Sequence, residues 1–295
     1  MSVHPSVVRR ILIHLAAFLI VALISIFAIG ALLTGPAPSA VGTLSIDFPV
    51  ESVEILSPDE SIVYGWLAYG KPNGGVVLLA HSMRSNRLEM LSRARFLNGL
   101  GYSVLLIDLY AHGETAGNRI TFGLRESESI QSAVAYLRQT FPHERIGAIG
   151  VSLGAAAIVL AKHRLNLDAV VLESLHPTIE EAVENRLKLH FGEYGSALLP
   201  LLLFQLSFYL DTPTSALSPI NRINDLNSPL LLISGTSDAH TTLPETERLL
   251  ATAREPKDLW IIPGAGHFNM HTYAGREYEQ YISDFLSKFI RKDRL

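Results

Sequence analysis

The chain has 295 residues, 48% of them hydrophobic, and its 24 basic and 28 acidic side chains leave a formal net charge of -4. A nucleic-acid binder usually carries a basic patch or stripe, so a mildly acidic chain argues against that partner. The absence of cysteine excludes disulfides, thiolate metal sites, cysteine nucleophiles and cysteine-attached lipid anchors.

Ile11 to Leu33 is an uncharged apolar run broken only by His14 and small polar residues. At 1.5 Å rise per residue it spans roughly 34 Å, enough to cross a hydrocarbon core with some tilt. Arg9 and Arg10 precede it, and no basic residue follows until Lys71. The positive-inside rule then places the N-terminus in the cytoplasm and the body on the outer, extracytoplasmic side. A cleaved signal peptide competes with this reading. Its apolar region normally runs about 7 to 15 residues, and here Pro38-Ser39-Ala40 would put Pro at the −3 position of the cleavage site. Residues 1–34 are therefore expected to form a single-pass transmembrane anchor, 35–49 a Pro- and Gly-containing linker, and 50–295 one large domain.

In the body, short apolar runs alternate with helical patterns. Val50 to Leu56 and Ile62 to Tyr69 are expected as paired strands around the turn Ser57 to Glu60. Val76 to His81 follows as a doubly buried strand, then a helix over Arg87 to Gly99 with Leu88, Leu91, Ala94 and Leu97 inward. Val104 to Leu109 is a strand and Glu126 to Gln139 a helix facing inward through Ile130, Val134 and Leu137. Ile146 to Val151 is a strand that leads into a helix over Leu153 to His163, and Ala169 to Glu173 another strand. After a long interval come a strand at Leu230 to Gly235, a helix over Pro244 to Ala253, a strand at Leu259 to Pro263 and a helix over Tyr273 to Ile290. Such alternation predicts an α/β fold with a mostly parallel central sheet and helices on both faces. The interval, about residues 176–227, is too long for a plain connection. Its apolar stretch, Ala197 to Leu210, is too short to span a bilayer. It is expected as a helical cap insertion, the competing reading being an extra helix packed on the sheet.

Gly150-Val151-Ser152-Leu153-Gly154 matches G-x-S-x-G at a strand-to-helix junction. There the small residues allow a tight elbow that exposes the Ser152 hydroxyl above the sheet, and the helix N-terminus favours developing negative charge. An acid and a histidine should follow in that order, each beyond a later strand. Asp238 lies after the strand at Leu230 and His267 after the strand at Leu259. Strand carboxyl ends share one side of a parallel sheet, so Ser152, Asp238 and His267 can meet. Leu153 N–H is expected to supply one oxyanion donor. The loop His81-Ser82-Met83 should supply the other, assigned to Met83 with Ser82 as the alternative.

At these motifs, together with Asp108 to Glu114, the chain resembles the α/β-hydrolase superfamily. More narrowly, it is similar to membrane-anchored bacterial-type hydrolases related to the serine aminopeptidases and the Bem46-like proteins. The resemblance covers roughly Val76 to Leu286. It implies an α/β-hydrolase fold and chemistry on esters, thioesters, amides or lipids. Two departures stand out. Ser82 replaces the family's usual Gly after the histidine, where it restricts the backbone beside the oxyanion loop. Tyr110-Ala111-His112-Gly113 stands in place of Arg-Gly-His-Gly.

Several residues have blander roles open to them. Asp108 is expected to brace the following loop, with His112 structural in the same turn and His81 holding the oxyanion loop. Glu173, at another strand end, is the rival to Asp238 as the acid. His267 and His271 are four apart but lack the H-E-x-x-H pattern, and no metal or cofactor is expected. The closing group Arg291 to Arg294 suits a solvated helix end.

The resulting expectation is a serine hydrolase that cleaves an ester-type bond (carboxylic ester, thioester or lipid) through an acyl-enzyme on Ser152. The partners expected are a small-molecule or lipid-like acyl substrate and a membrane, with no nucleic acid. The alternatives are an amide or peptide hydrolase, or a catalytically silent membrane-tethered binding protein on the same fold. Dehalogenase chemistry would need Asp at position 152. Apolar residues of the insertion such as Leu199, Leu202 and Phe204 point to an acyl or other greasy substrate.

Overall fold

The computed structural model describes residues 5–42, 48–58 and 60–291. Residues 43–47 of the expected linker, Asp59 of the expected turn and 292–294 of the closing basic group lie outside the described residues.

The N-terminal apolar run forms one helix, α1 (Pro5–Thr34). It is long and apolar enough to cross a membrane, and its most hydrophobic window has no residue buried against the rest of the chain. The segment after it is tied to the body. Ala37 and Pro38 pair in parallel with His112 and Gly113, and Ser39 N–H donates to Gly113 O at 2.8 Å.

Among the described residues, eight strands form the main sheet: β1 (Glu51–Leu56), β2 (Ile62–Ala68), β3 (Val76–Ala80), β4 (Ser103–Ile107), β5 (Ile146–Val151), β6 (Ala169–Glu173), β7 (Leu230–Gly235) and β8 (Lys257–Ile262). Their spatial order is β8-β7-β6-β5-β3-β4-β2-β1. Only β2 runs against its neighbours, pairing antiparallel with both β1 and β4. Strands β3 to β7 are buried along their whole length, as continuous apolar runs covered on both faces should be.

Side-chain alternation divides the core in two. Val76, Leu78 and Ala80 of β3 face one cluster with α3 (Glu126–Thr140), α4 (Leu153–Val159) and α7 (Leu243–Thr252). Val77 and Leu79 face the other, with α2 (Leu91–Gly99) and α9 (Arg276–Phe289). This period of two is why a continuous apolar run serves both layers.

Three helices differ from the sequence expectation. The stretch from Arg87 opens as a 3-10 turn over Arg87–Met90 before α2, because the Asn86 side chain caps Leu88 N–H at 2.9 Å. Leu88 is 39% exposed, whereas Arg87 and Arg93 turn inward to buried carboxylates. Helix α4 stops at Val159, four residues early, before the charged Lys162-His163-Arg164. The closing helix is broken into α8 (Met270–Ala274) and α9 by Gly275 at φ 52°, a backbone conformation that favours glycine.

The insertion contains α5 (Ile179–Phe191), a 3-10 turn over Gly192–Leu198 and α6 (Leu199–Leu210), then short 3-10 turns. The Thr178 side chain accepts Glu181 N–H and caps α5. Ile179, Ala182, Leu206 and Leu217 make their own small cluster, separate from both sheet layers. The insertion stands off the sheet, and residues of α5 and α6 face Ser152 across a cavity.

Candidate active site

Ser152 sits between β5 and α4 with φ 50° and ψ −103°, in the left-handed half of the backbone map that a serine rarely enters. Its neighbours permit this. A Cβ at Gly154 would overlap the carbonyl of Ala80, and one at Gly150 would overlap the first turn of α4. The two glycines bring the helix N-terminus hard against the ends of β3 and β5. Ser152 N–H donates to Glu173 O at 2.9 Å, which ties the elbow to β6.

The three side chains named from the sequence converge. His267 Nε2 lies 3.2 Å from Ser152 Oγ, and His267 Nδ1 lies 2.9 Å from Asp238 Oδ2 and 3.2 Å from Oδ1. Asp238 has no other role available, since it accepts only, so Nδ1 carries the proton and Nε2 is left to accept from the serine hydroxyl. Asp238 also accepts from His240 N–H and Thr241 N–H, each at 2.9 Å, from Thr241 Oγ1 at 2.8 Å and from Ser174 Oγ at 3.0 Å. Burial pushes its pKa up, but the His267 hydrogen bond and charge together with the Thr241 donors outweigh that and hold it at about 2.

Ser174 and Thr241 are the residues that sequence reasoning missed. Ser174 follows Glu173 at the end of β6 with φ 51°, a placement visible only as "one residue past a strand". Nothing in the sequence says that its hydroxyl turns toward a carboxylate 64 positions away.

The loop after β3 carries Met83, which lines the same cavity as Ser152 and Leu153. His81 braces this loop. Its Nδ1 lies 2.7 Å from Ser82 O, and its Nε2 accepts Leu109 N–H at 3.0 Å. Burial lowers its pKa to about 4, so the ring is neutral with the proton on Nδ1. Ser82 is accommodated without strain. It is absent from the residues at positive φ, whereas Arg84 takes φ 58°. Both its N–H and its Oγ donate to Glu89 Oε2 at 2.8 Å.

The other titratable candidates are engaged elsewhere. Asp108 accepts Arg87 N–H at 2.8 Å and Glu114 N–H at 2.9 Å and pairs with the Arg87 guanidinium, which is the bracing expected of it. Glu173 is paired with Arg93 and Tyr278 and does not meet His267. His112 Nδ1 lies 2.9 Å from Tyr110 O. His271 sits between Ser92 Oγ at 3.0 Å and Glu279 Oε1 at 3.1 Å, away from His267. His240 packs its ring 4.9 Å from that of His267.

Over Ser152 lies an apolar cavity of about 320 Å³, within the size range of small-molecule sites. Phe122, Ile179, Val183, Leu198 and Leu202 contribute to its wall. Three polar side chains, His176, Arg186 and His190, reach it from the cap side. His176 is buried and neutral, its pKa lowered by burial to about 3. Arg186 Nη1 donates to Ala182 O at 2.7 Å, and the Asp238 carboxylate acts on its charge through space.

A mostly parallel eight-stranded sheet, a serine on a strained strand-to-helix elbow and an Asp–His pair beyond β7 and β8 together define an α/β hydrolase. The chain belongs to the alpha/beta hydrolase family, whose model matches residues 76–280. It is 30% identical over 258 residues to the Mycobacterium tuberculosis protein Rv2307c, which covers 86% of this chain and 84% of that protein. It is 26% identical over 214 residues to Bacillus subtilis YqkD, covering 71% of this chain and 70% of that protein. Among solved structures, the Pyrococcus furiosus esterase Pf2001 is similar, with a TM-score of 0.71, 25% identity and coverage of 87% of this chain and 98% of that one.

Proposed function

We propose that the protein is a membrane-anchored serine esterase whose nucleophile is Ser152, with His267 as base and Asp238 as the acid that orients it. The observation that carries this reading is the continuous hydrogen-bonded line from Ser152 Oγ through His267 to Asp238. The esterase among the structural neighbours supports the ester-bond assignment.

In the first half-reaction Ser152 Oγ attacks the acyl carbon as its proton passes to His267 Nε2. The tetrahedral oxyanion is held by the N–H groups of Leu153 and Met83. On collapse, the carbon–oxygen bond to the alcohol breaks and His267 returns the proton to the leaving oxygen, leaving an acyl-Ser152. Water then repeats the sequence with His267 as base and releases the acid. The Asp238 carboxylate stays ionised and steadies the imidazolium in each step.

Helix α1 serves as a retained single-pass anchor, with the N-terminus cytoplasmic and the catalytic domain outside. Residues 50–295 form the catalytic domain and 176–227 its cap. The uncharged length of the apolar run and Arg9 and Arg10 before it support this.

A fluorophosphonate probe tests the catalytic assignment. Wild-type protein should be labelled at Ser152 and hydrolyse p-nitrophenyl butyrate, and Ser152→Ala should do neither while remaining folded. Inert wild-type protein, or turnover unchanged in Ser152→Ala, overturns it.

A further inference from the structure

One wall of the cavity over Ser152 is built by α1 itself, through Ile26, Ile29 and Leu33. The end of that helix is docked. Tyr209 OH of α6 donates to Phe27 O at 2.9 Å, and the missing side chain of Gly30 leaves the space taken by the Gln205 amide. Arg84 donates to Leu33 O at 3.0 Å and Gly35 O at 3.3 Å, and Ile120 N–H donates to Thr34 O at 2.8 Å. These donors satisfy carbonyls that a helix C-terminus leaves unpaired, and the Arg84 charge complements the negative end of the helix dipole. Arg84 directly follows Met83, so one loop carries both the oxyanion donor and the tie to α1.

The opposite portion of α1 is bare, with Phe18 69% and Val21 61% exposed. About 20 helical residues fill a hydrocarbon core. Counted from Ile11, that length ends near Gly30, which puts Ile26 and Ile29 at acyl-chain depth beneath the outer interface and Leu33 close to it. Beside α1 the cap presents Phe204 and Phe208, one turn apart on α6 and 64% and 69% exposed, together with Tyr194. Aromatic side chains of this kind suit the interfacial zone.

We infer that the substrate is an acyl ester of a bilayer lipid, whose chain enters sideways from the outer leaflet and lies between α1 and the cap. The anchor is then a wall of the acyl site as well as a tether. This inference rests on the serine-hydrolase and anchor readings above and adds the substrate class and its route.

The test uses full-length protein in phospholipid nanodiscs and a hexadecyl fluorophosphonate with a diazirine at the chain end. The probe phosphonylates Ser152 with loss of fluoride, and irradiation should then cross-link its tail to residues 26–33. Cross-links confined to other parts of the chain overturn the inference while leaving the hydrolase reading intact. No labelling at Ser152 sinks the hydrolase reading and this inference with it. In a steady-state counterpart, Ile29→Trp should lower hydrolysis of a palmitoyl ester at least tenfold relative to a butyryl ester. Val21→Trp, on the bare part of the same helix, should change neither rate. Equal effects of Ile29→Trp on both esters count against the inference.

Discussion

Arg93 donates to both carboxylate oxygens of Glu173, Nε to Oε1 at 3.0 Å and Nη2 to Oε2 at 2.6 Å, and both side chains are 1% exposed. Tyr278 OH adds a third donor at 2.6 Å. The pair lies directly beneath the elbow, because the backbone carbonyl of Glu173 accepts Ser152 N–H. Its role is to support the end of β6, and it leaves His267 to Asp238. Arg93→Ala strands a buried carboxylate, so unfolding free energy should fall by about 3 to 5 kcal/mol. Denaturant titration measures that loss. Probe labelling per folded molecule should stay within a few-fold of wild type; a selective loss of labelling in fully folded protein would give the pair a catalytic role instead.

Asp238 and Ser174 should separate orientation from fine support. Asp238→Asn retains the shape but favours the wrong His267 tautomer, and kcat should drop by about 10³ to 10⁴. Ser174→Ala removes one of several donors to the same carboxylate, a difference of about 1 kcal/mol, and should cost under tenfold. Ester hydrolysis under saturating substrate ranks the two, and a reversed ranking would contradict the assignment of the acid.

Ser82→Gly restores the residue usual in the family. It forfeits the Oγ bond to Glu89 but relieves no strain, since Ser82 has ordinary φ. Stability should fall by about 1 kcal/mol, and kcat/KM should change less than threefold. A large gain in activity would show that Ser82 hinders the oxyanion loop.

Stability should also decline on acidification. His81 and His112 are buried with pKa values lowered to about 4, and His176 to about 3, burial being the leading cause in each. The unfolded chain binds these protons from about pH 6.5 downward and the folded chain does not. Their stabilisation is therefore whole above pH 6.5 and is lost as pH falls toward 4. The rings of His81 and His112 lie 5.2 Å apart, so their protonation opposes folding jointly. Asp238 continues the trend, its contribution being present above about pH 4 and lost as pH falls toward 2. Unfolding curves at pH 7.5, 5.5 and 4.5 should show this slope, and His112→Gln should flatten it. A flat profile would contradict neutral burial.

The sequence alone determined the layered α/β architecture, the elbow at Ser152 and the three polar groups at the ends of β5, β7 and β8. Those features are local: burial on both faces demands continuous apolar runs, and a tight strand-to-helix turn demands glycines at Gly150 and Gly154. Tertiary structure alone decided which side chains meet. Arg93 lies in an amphipathic-looking helix, and only its distance to Glu173, 80 positions away, shows that it turns inward. Ser174 and Thr241 became supports for Asp238, and Ile26, Ile29 and Leu33 of α1 became a wall of the cavity over Ser152, in the same way. Periodicity records which face of an element is apolar. The partner that covers that face is set by contacts between segments remote in the chain.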